Sequence, residues 1–384
     1  MAERMAEAAG PGQPVVAPTT ATVRRLLGIA LREPQALPEL SAPELDLCLR
    51  LLRRARLLGR IESSRRFTHP VPDILRSARV IAESRARVAR WEMDRLAWAL
   101  TGVDGPVLVL KGCAYLLLGT PNATGRSFAD VDLLLPAEAL PAAEAALKAR
   151  GWSATELTPY DDRYYRDWAH ELPPMQHPER EVEVDLHHNI VMPTGYLKPD
   201  AAELIAAARP IEGTRFHALA PVDMVLHAAV HLFYGGEMDG SLRELVDIAD
   251  LLQHFDATEP GFRDAFWPRA EALGLLRPAF YAVRYVERLL ELRLPAALAA
   301  APARAAPSRP VLTLMDALVP LALYPYHPER RARSATAARQ ALFIRSHWVK
   351  MPPLMLARHL GAKTLARLRH QMRGSGKGEP GAAG

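Results

Sequence analysis

The sequence predicts an α+β fold in which a small mixed β-sheet is flanked by N-terminal and C-terminal helical segments. Apolar residues recur at helical spacing before residue 100 and again after residue 221. Between these regions, the segments 126–135 and 182–190 alternate polar and apolar residues as strands do. A helical pattern at 139–150 separates the two strands, so helices and strands share one core.

The N-terminal region, residues 21–103, is predicted to be helical. Leucines recur at helical spacing between residues 45 and 52, and a long helix is expected over 74–100. Residues 1–20 are rich in Ala, Pro and Gly, and they lack the basic start of a signal peptide. We expect this N-terminus to be disordered.

An α/β core is predicted for residues 104–215. It begins with a short apolar β-rich run at 106–110, which Lys111 and Gly112 close before a helix. The less regular segment 152–180 is expected to form two strands and a loop.

The chain returns to a helical pattern after the core. A helical region packed on the core is predicted for 216–295, with helices at 221–234, 242–255, 263–273 and 278–290. An Ala/Pro-rich linker at 296–310, basic helices at 311–373 and a disordered Gly-rich tail at 374–384 complete the predicted organisation.

The composition excludes several classes of protein. The net charge is +5, a modest basic excess that lies largely after residue 330. Cys48 and Cys113 are the only cysteines, too few for a disulfide framework or a cysteine-based zinc site. No apolar stretch is long enough for a transmembrane segment. We therefore expect a cytoplasmic protein.

Acidic residues on the two central strands indicate the chemistry. Asp130 and Asp132 point to the same side of one strand because side chains alternate, and Asp185 lies on the next strand. Three carboxylates on one face repel one another unless they share a cation, so neutralising Asp132 is expected to relieve repulsion. Oxygen ligands of this kind suit Mg²⁺. The pattern therefore predicts metal-assisted phosphoryl or nucleotidyl transfer.

Several further motifs follow one another in a fixed order. They are Leu110-Lys111-Gly112, Arg126-x-x-x-Asp130-x-Asp132, Gly151-Trp152, Val184-Asp185-Leu186-His187, the segment from Pro221 to His231, and Arg243-x-x-x-Asp247. This ordered set resembles the uncharacterised nucleotidyltransferase-like family of the DNA polymerase beta-like superfamily. The resemblance covers about residues 25–260.

The resemblance implies a nucleotidyltransferase core in which Asp130, Asp132 and Asp185 hold two Mg²⁺ ions. The donor would be an NTP, and the acceptor an unidentified hydroxyl or phosphate on a sugar, lipid, peptide, protein or RNA. Lys111 and Gly112 stand where the superfamily usually has a Gly-Ser pair, and we expect them to bind phosphate at a helix N-terminus.

Other interpretations of these residues remain open. Arg126 either binds phosphate or neutralises the aspartates, and one of the histidines at 187–188 should face the site. The same site also suits a phosphotransferase. Because Lys111 and Gly112 replace the usual pair, a non-catalytic or regulatory protein that binds a nucleotide or phosphate through a degenerate site is a further alternative.

Three features outside the acidic strands have plainer interpretations. His227 and His231 have a spacing that can bind zinc, but the residue after His227 is not Glu as in zinc proteases, which favours a packing role. Arg243 and Asp247 are predicted to form a structural ion pair. The basic C-terminal region is a solvated face, a nucleic-acid contact or a surface for an acidic partner.

Overall fold

The computed structural model of this chain has the predicted α+β fold, with a seven-stranded mixed sheet between helical regions. It describes residues 18–63, 73–155, 162–163, 165, 168–180, 182–327 and 332–351. The predicted disordered tail and the basic helices beyond residue 351 lie outside these residues, as does nearly all of the predicted disordered N-terminus.

The described helices agree well with the sequence pattern. They are α1 (Thr20–Arg32), α2 (Ala42–Arg54), α3 (Leu58–Ser63), α4 (Asp73–Ala99), α5 (Lys111–Leu118), α6 (Leu140–Ala149), α7 (Ala201–Ala206), α8 (Pro221–Gly235), α9 (Leu242–Thr258), α10 (Phe262–Ala272), α11 (Leu276–Leu290), α12 (Ala296–Ala299), α13 (Arg309–Leu323) and α14 (Arg333–Lys350). Short 3-10 helices span Pro34–Glu39, Pro121–Ala123, Ala137–Ala139 and Ala303–Ala305. The predicted helices at 74–100, 139–150, 221–234, 242–255, 263–273 and 278–290 are confirmed, with their ends displaced by no more than three residues.

The strands are short. They are β1 (Leu108–Val109), β2 (Asp130–Leu134), β3 (Ser153–Ala154), β4 (Met175–Gln176), β5 (Glu183–His187), β6 (Arg209–Pro210) and β7 (His217–Ala218). Their order in the sheet is β3-β4-β5-β2-β1-β7-β6. The segment 152–180 contains two strands, β3 and β4, as predicted.

The two acidic strands, β2 and β5, are parallel neighbours at the centre of the sheet. Asp132 lies directly opposite Asp185 in this pairing. The intervening aliphatic residues Val131, Leu133 and Val184 are fully buried on the other face. Because successive side chains alternate, burying the aliphatic face turns both aspartates to the same side of the sheet.

Helix α4 is joined to the core through a buried ion pair. Arg180, just before β5, donates from Nη1 to Glu92 Oε1 at 3.2 Å. The Arg180 guanidinium also lies 4.3 Å from the centroid of the Trp152 ring, and Glu92 is fully buried. The cation therefore both balances a buried carboxylate and packs on an aromatic face.

The segment predicted as a linker, 296–310, is packed against the helical region. It contains α12 and a 3-10 helix, and its residues Leu298 and Ala305 are fully buried. Trp267 Nε1 donates to the carbonyl of Leu298 at 3.1 Å, and Arg277 Nε donates to the carbonyl of Ala305 at 2.9 Å. These bonds satisfy backbone groups that a buried loop would otherwise leave unpaired.

The last described helix, α14, uses part of its positive charge to dock on α8. Arg345 Nη1 donates to the carbonyl of Phe233 at 2.9 Å, and Lys350 Nζ donates to the carbonyl of Gly235 at 2.6 Å. These carbonyls belong to the last turn of α8, where no intrahelical donor is available. Within the described residues, no helix combines the length and the apolar character needed to cross a membrane.

A buried cluster of charges, the arginine cluster, joins the acidic strand to α9. It consists of Arg126, Arg243 and Asp247. Arg243 Nε donates to Asp247 Oδ1 at 2.9 Å, which confirms the predicted ion pair, and Arg126 binds the other oxygen of Asp247. Arg243 also donates to the carbonyl of Asn122 at 2.6 Å. The cluster thus fixes the loop before β2 against α9.

Removing the carboxylate of the arginine cluster should destabilise the fold strongly. Asp247 is 3% exposed, and Asp247→Ala leaves Arg126 and Arg243 buried without their counter-charge. We expect the free energy of unfolding to fall by about 3–5 kcal/mol, measured by urea denaturation.

Asp256→Ala is the matched control for this experiment. Asp256 also lies on α9, but its partner Arg263 is exposed, so the urea midpoint should barely move. Equal midpoints for the two variants would show that the arginine cluster contributes no more than a surface pair.

Candidate functional site

A cavity of about 330 Å³ opens on the acidic face of β2 and β5. Lys111, Asp130, Asp132 and Asp185 all line it, so the structure brings together the three predicted metal ligands and one predicted phosphate ligand. The cavity also has an aliphatic lining, which comes from the chain after β5, from α8 and from the end of α14. It consists of Ile190, Val191, Met192, Leu197, Val230 and Val349.

Asp132 is the most strongly held carboxylate in the cavity. Lys111 Nζ donates to Asp132 Oδ1 at 2.9 Å, and His187 Nε2 lies 3.0 Å from the same oxygen. Burial opposes the charge of Asp132, but Lys111 and His187 outweigh burial and hold the pKa of this carboxyl well below its usual range. Asp132 is therefore ionised at neutral pH.

Asp185 is the carboxylate that burial and the neighbouring negative charges destabilise. Its Oδ1 is buried and has no hydrogen-bond partner among the described residues. Burial, together with the charges of Asp132 and Glu171, raises the pKa of Asp185 from 3.8 to about 7. The expected relief of repulsion therefore belongs to Asp185, whereas neutralising Asp132 would remove a charge that its neighbours stabilise.

Asp130 is an exposed residue of the cavity lining. It is the first residue of β2 and is exposed, whereas the other four residues of that strand are buried. The carboxylates of this face thus run from solvent at Asp130 to the interior at Asp132.

Lys111 holds its position in an unusual backbone conformation. It is the first residue of α5, and its φ of +45° lies in the left-handed region that non-glycine residues rarely adopt. Burial opposes its charge, but Asp132 raises the pKa of Lys111, which remains a cation. Backbone strain of this kind is concentrated at functional sites, and here it accompanies the lysine that reaches Asp132.

Gly112 and Arg126 lie behind the cavity and do not line it. A Cβ atom on Gly112 would come within 2.9 Å of Arg126 Nε, so the glycine allows Arg126 to pass close to α5. Arg126 pairs with Asp247 rather than with an aspartate of the site. The predicted role of both residues in phosphate binding stays a prediction, and their observed contacts serve packing.

Two residues of the site, His170 and Glu171, were missed by the sequence analysis. Their segment pairs with the end of β5, since His188 N donates to the carbonyl of His170 at 2.8 Å and Glu171 forms an antiparallel bridge with His187. Glu171 Oε2 comes within 3.2 Å of His187 Nδ1. The segment has no regular periodicity, so no sequence signal marked it.

Two sets of side chains in the described part of the chain have metal-ligand spacing. Ligand atoms of Asp132, Asp185 and His187 lie within 4.8 Å of one another, and the same holds for His170, Glu171 and His187. The unpartnered Asp185 Oδ1 fits a cation, because an ion would compensate both its burial and the charge of Asp132. Of the two histidines expected near the site, His187 faces it.

The histidine pair on α8 does not form a zinc site with a third described ligand. His227 is 5% exposed, and burial lowers its pKa well below the usual range. His231 instead places Nδ1 2.8 Å from Glu244 Oε2, on α9. These contacts agree with the packing role predicted for the pair.

The chain belongs to a family described as uncharacterised nucleotidyltransferases, which it matches over residues 41–291. The match includes every residue that lines the cavity except Val349 and Lys350. Membership supports nucleotidyl transfer as the general activity. No curated protein and no solved structure matches the chain significantly.

Asp185→Asn should raise the stability of the metal-free protein at high pH. The pKa of Asp185 is raised on folding, so its favourable contribution is complete below pH 3.8 and is lost as the pH rises through about 7. The variant removes this cost, which is at most about 4 kcal/mol. We expect it to melt above wild type at pH 8, with a gain that shrinks towards pH 5.

Scanning calorimetry from pH 5 to pH 8 measures this difference. Asp94→Asn, at an exposed aspartate on α4, is the control and should show no such pH dependence. If Asp185→Asn and wild type melt together at pH 8, the Asp185 carboxylate carries no such cost.

Proposed function

We propose that this protein transfers a nucleotidyl group from an NTP to a hydroxyl or phosphate acceptor, with Mg²⁺ held by Asp130, Asp132 and Asp185. The observation that carries the proposal is the side-by-side placement of Asp132 and Asp185 in a cavity that the exposed Asp130 also lines. Carboxylate oxygens are the ligands that Mg²⁺ prefers. When bound, the expected two ions would balance phosphate charge and activate the acceptor oxygen.

Lys111 is proposed to link metal binding to nucleotide binding. In the structure its ammonium satisfies Asp132 Oδ1, an oxygen that a metal ion would also use. Lysine and metal therefore compete for Asp132 until a phosphate provides the lysine with another anionic partner. Its place at the start of α5 suits phosphate, because the backbone N–H groups there are unpaired.

The aliphatic lining of the cavity favours an acceptor with an apolar part. Its aliphatic side chains include Val349, which lies beyond the family match. Tyr196 N donates to the carbonyl of Val349 at 3.1 Å, and Thr194 Oγ1 donates to the carbonyl of Lys350 at 2.9 Å. These bonds hold the end of α14 over the cavity, so we propose that α14 contributes to acceptor selection.

An acidic partner for the C-terminal region remains a separate proposal. In the described part of that region, Arg345 and Lys350 already bind backbone carbonyls of α8. Of the nine other Lys and Arg between residues 330 and 373, five lie beyond residue 351, outside the described residues. The contacts of α14 therefore support docking on the helical region rather than capture of a partner.

A non-catalytic, regulatory role is the alternative that one observation favours. Asp132 Oδ1 is already satisfied by Lys111 and His187, so the charge of this aspartate is compensated without a metal ion. A degenerate site of this kind would bind nucleotide or phosphate without turnover. A phosphotransferase would use the same contacts as the nucleotidyltransferase and differs only in the group transferred.

Asp132→Asn should abolish transfer. The substitution removes the charge of the most strongly held proposed metal ligand, and Mg²⁺ binding should weaken accordingly. Mass spectrometry of candidate acceptors incubated with Mg²⁺ and mixed NTPs gives the readout, and circular dichroism confirms folding. Added nucleotidyl mass supports our proposal, whereas added phosphate mass would indicate the phosphotransferase.

The exposed variant Asp94→Asn is the activity control and should transfer like wild type. Turnover by Asp132→Asn at the wild-type rate would remove Asp132 from the mechanism. If wild type is stabilised by Mg²⁺ with NTP in a thermal shift but modifies no acceptor, the regulatory alternative gains support.

Lys111→Ala should affect NTP and Mg²⁺ in opposite directions. Loss of a charge-assisted hydrogen bond should weaken NTP binding by about 1–3 kcal/mol. Mg²⁺ alone should bind more tightly, because the lysine no longer competes for Asp132 Oδ1. Isothermal titration calorimetry measures both affinities.

Lys148→Ala, on the surface of α6, is the matched control and should change neither affinity. Unaltered NTP affinity in Lys111→Ala would show that Lys111 is not a phosphate ligand. Unaltered Mg²⁺ affinity would show that the lysine and the ion do not share Asp132.

A further inference from the structure

A second group of metal-type ligands lies beside the aspartates and is formed by His170, Glu171 and His187, here called the histidine site. We propose that the histidine site binds a divalent transition-metal ion of the Zn²⁺ class. This ion is distinct from the Mg²⁺ that the aspartates are proposed to hold. The inference rests on the geometry of three side chains and does not depend on the proposed reaction.

The separations between the ligand atoms suit a small metal ion. Glu171 Oε2 lies 3.2 Å from His187 Nδ1 and 3.8 Å from His170 Nε2. With metal–ligand bonds of about 2.0–2.2 Å, neighbouring ligands of a tetrahedral ion lie about 3.3–3.6 Å apart. The observed distances lie on either side of this range, so small side-chain movements would complete the site.

The hydrogen bonds of the His187 ring leave one nitrogen atom unused. His187 Nδ1 is buried and has no hydrogen-bond partner among the residues that the structure describes, although Glu171 Oε2 is only 3.2 Å away, so the carboxylate lies outside hydrogen-bonding geometry. His170 Nδ1 has no partner among these residues either, but Nε2 is the His170 nitrogen that approaches Glu171. Buried polar atoms are normally paired, and an ion shared by these groups would account for the arrangement.

The other side of the His187 ring supports the same conclusion. Its Nε2 lies 3.0 Å from Asp132 Oδ1, and an ionised carboxylate accepts a hydrogen bond but cannot donate one. Nε2 therefore carries the proton. In a neutral ring the lone pair is then on Nδ1, which faces Glu171. Metal-binding histidines typically donate their second nitrogen to a carboxylate in this way.

The donor set selects the class of ion. Two imidazoles and one carboxylate are ligands typical of zinc and related transition metals, whereas Mg²⁺ prefers oxygen and keeps much of its water. The main alternative without metal is a doubly protonated His187 that bridges Asp132 and Glu171 as a cation. The two arrangements differ in a measurable way, because only the first requires His170.

Titration of the full-length, chelator-treated protein with Co²⁺ tests the histidine site, with visible absorption as the readout. We expect one Co²⁺ per chain with the absorption bands of an imidazole-ligated ion. His170→Ala and Glu171→Gln should each weaken this binding at least about tenfold, as loss of a metal ligand does. His231→Gln, at another histidine lining the cavity, should bind Co²⁺ like wild type.

Asp185→Asn separates this inference from the proposed function. It removes an aspartate ligand and should spare the Co²⁺ bands. Loss of the bands in Asp185→Asn with retention in His170→Ala would place the ion among the aspartates and overturn the histidine site. Absence of Co²⁺ binding in wild type would also overturn it, even if Mg²⁺-dependent transfer is found.

Folding of each variant is checked by circular dichroism. If His170→Ala does not fold, Glu171→Gln decides, because it keeps the size of the side chain and removes only the charged ligand. Wild-type Co²⁺ affinity in a folded Glu171→Gln would overturn the proposal. Co²⁺ binding by a chain that shows no nucleotidyl transfer would refute the proposed function and leave the histidine site standing.

Discussion

The parallel register of β2 and β5 places two carboxylates side by side, and the rest of the site responds to that constraint. Two like charges in a partly buried cavity cannot both be stable without compensation. Lys111 and His187 compensate Asp132, which stays ionised. Asp185 is left with a raised pKa and with an oxygen that has no hydrogen-bond partner in the described part of the chain. Of this pair, Asp132 is therefore a permanent anion, whereas Asp185 would ionise more readily if a further cation were bound.

The arginine cluster maintains the strand that carries this constraint. Arg126 begins the acidic segment and Asp247 belongs to α9, so their ion pair ties the strand to the helical region. A shift of this loop would separate buried charges, which costs far more than moving a surface loop. Gly112 is part of the same arrangement, because a side chain there would collide with Arg126. The observed contacts of Arg126 and Gly112, whose predicted role in phosphate binding stays a prediction, thus hold this strand in place.

His187 connects the two groups of possible metal ligands. One ring nitrogen approaches Asp132, and the other approaches Glu171. An ion bound to Asp132 would change the carboxylate to which His187 donates. An ion bound beside Glu171 would fix the His187 ring, which contacts Asp132. Binding at the two places is therefore expected to be linked through one imidazole, and linkage of this kind acts equally in both directions.

The local sequence pattern by itself determined the helices and the orientation of the acidic side chains. Helical periodicity located α8 to α11 within three residues, and strand alternation placed Asp130 and Asp132 on one face, because these features depend only on neighbouring residues. Only the tertiary structure decided that Arg126 pairs with Asp247, 121 residues away, that His170 and Glu171 join the site, and that Val349 lines it. The tertiary structure also decided that the repulsion raises the pKa of Asp185 and not that of Asp132. The charge partners, the burial and the pKa of a side chain depend on which distant segments the fold brings together. A local sequence pattern contains no information about those segments.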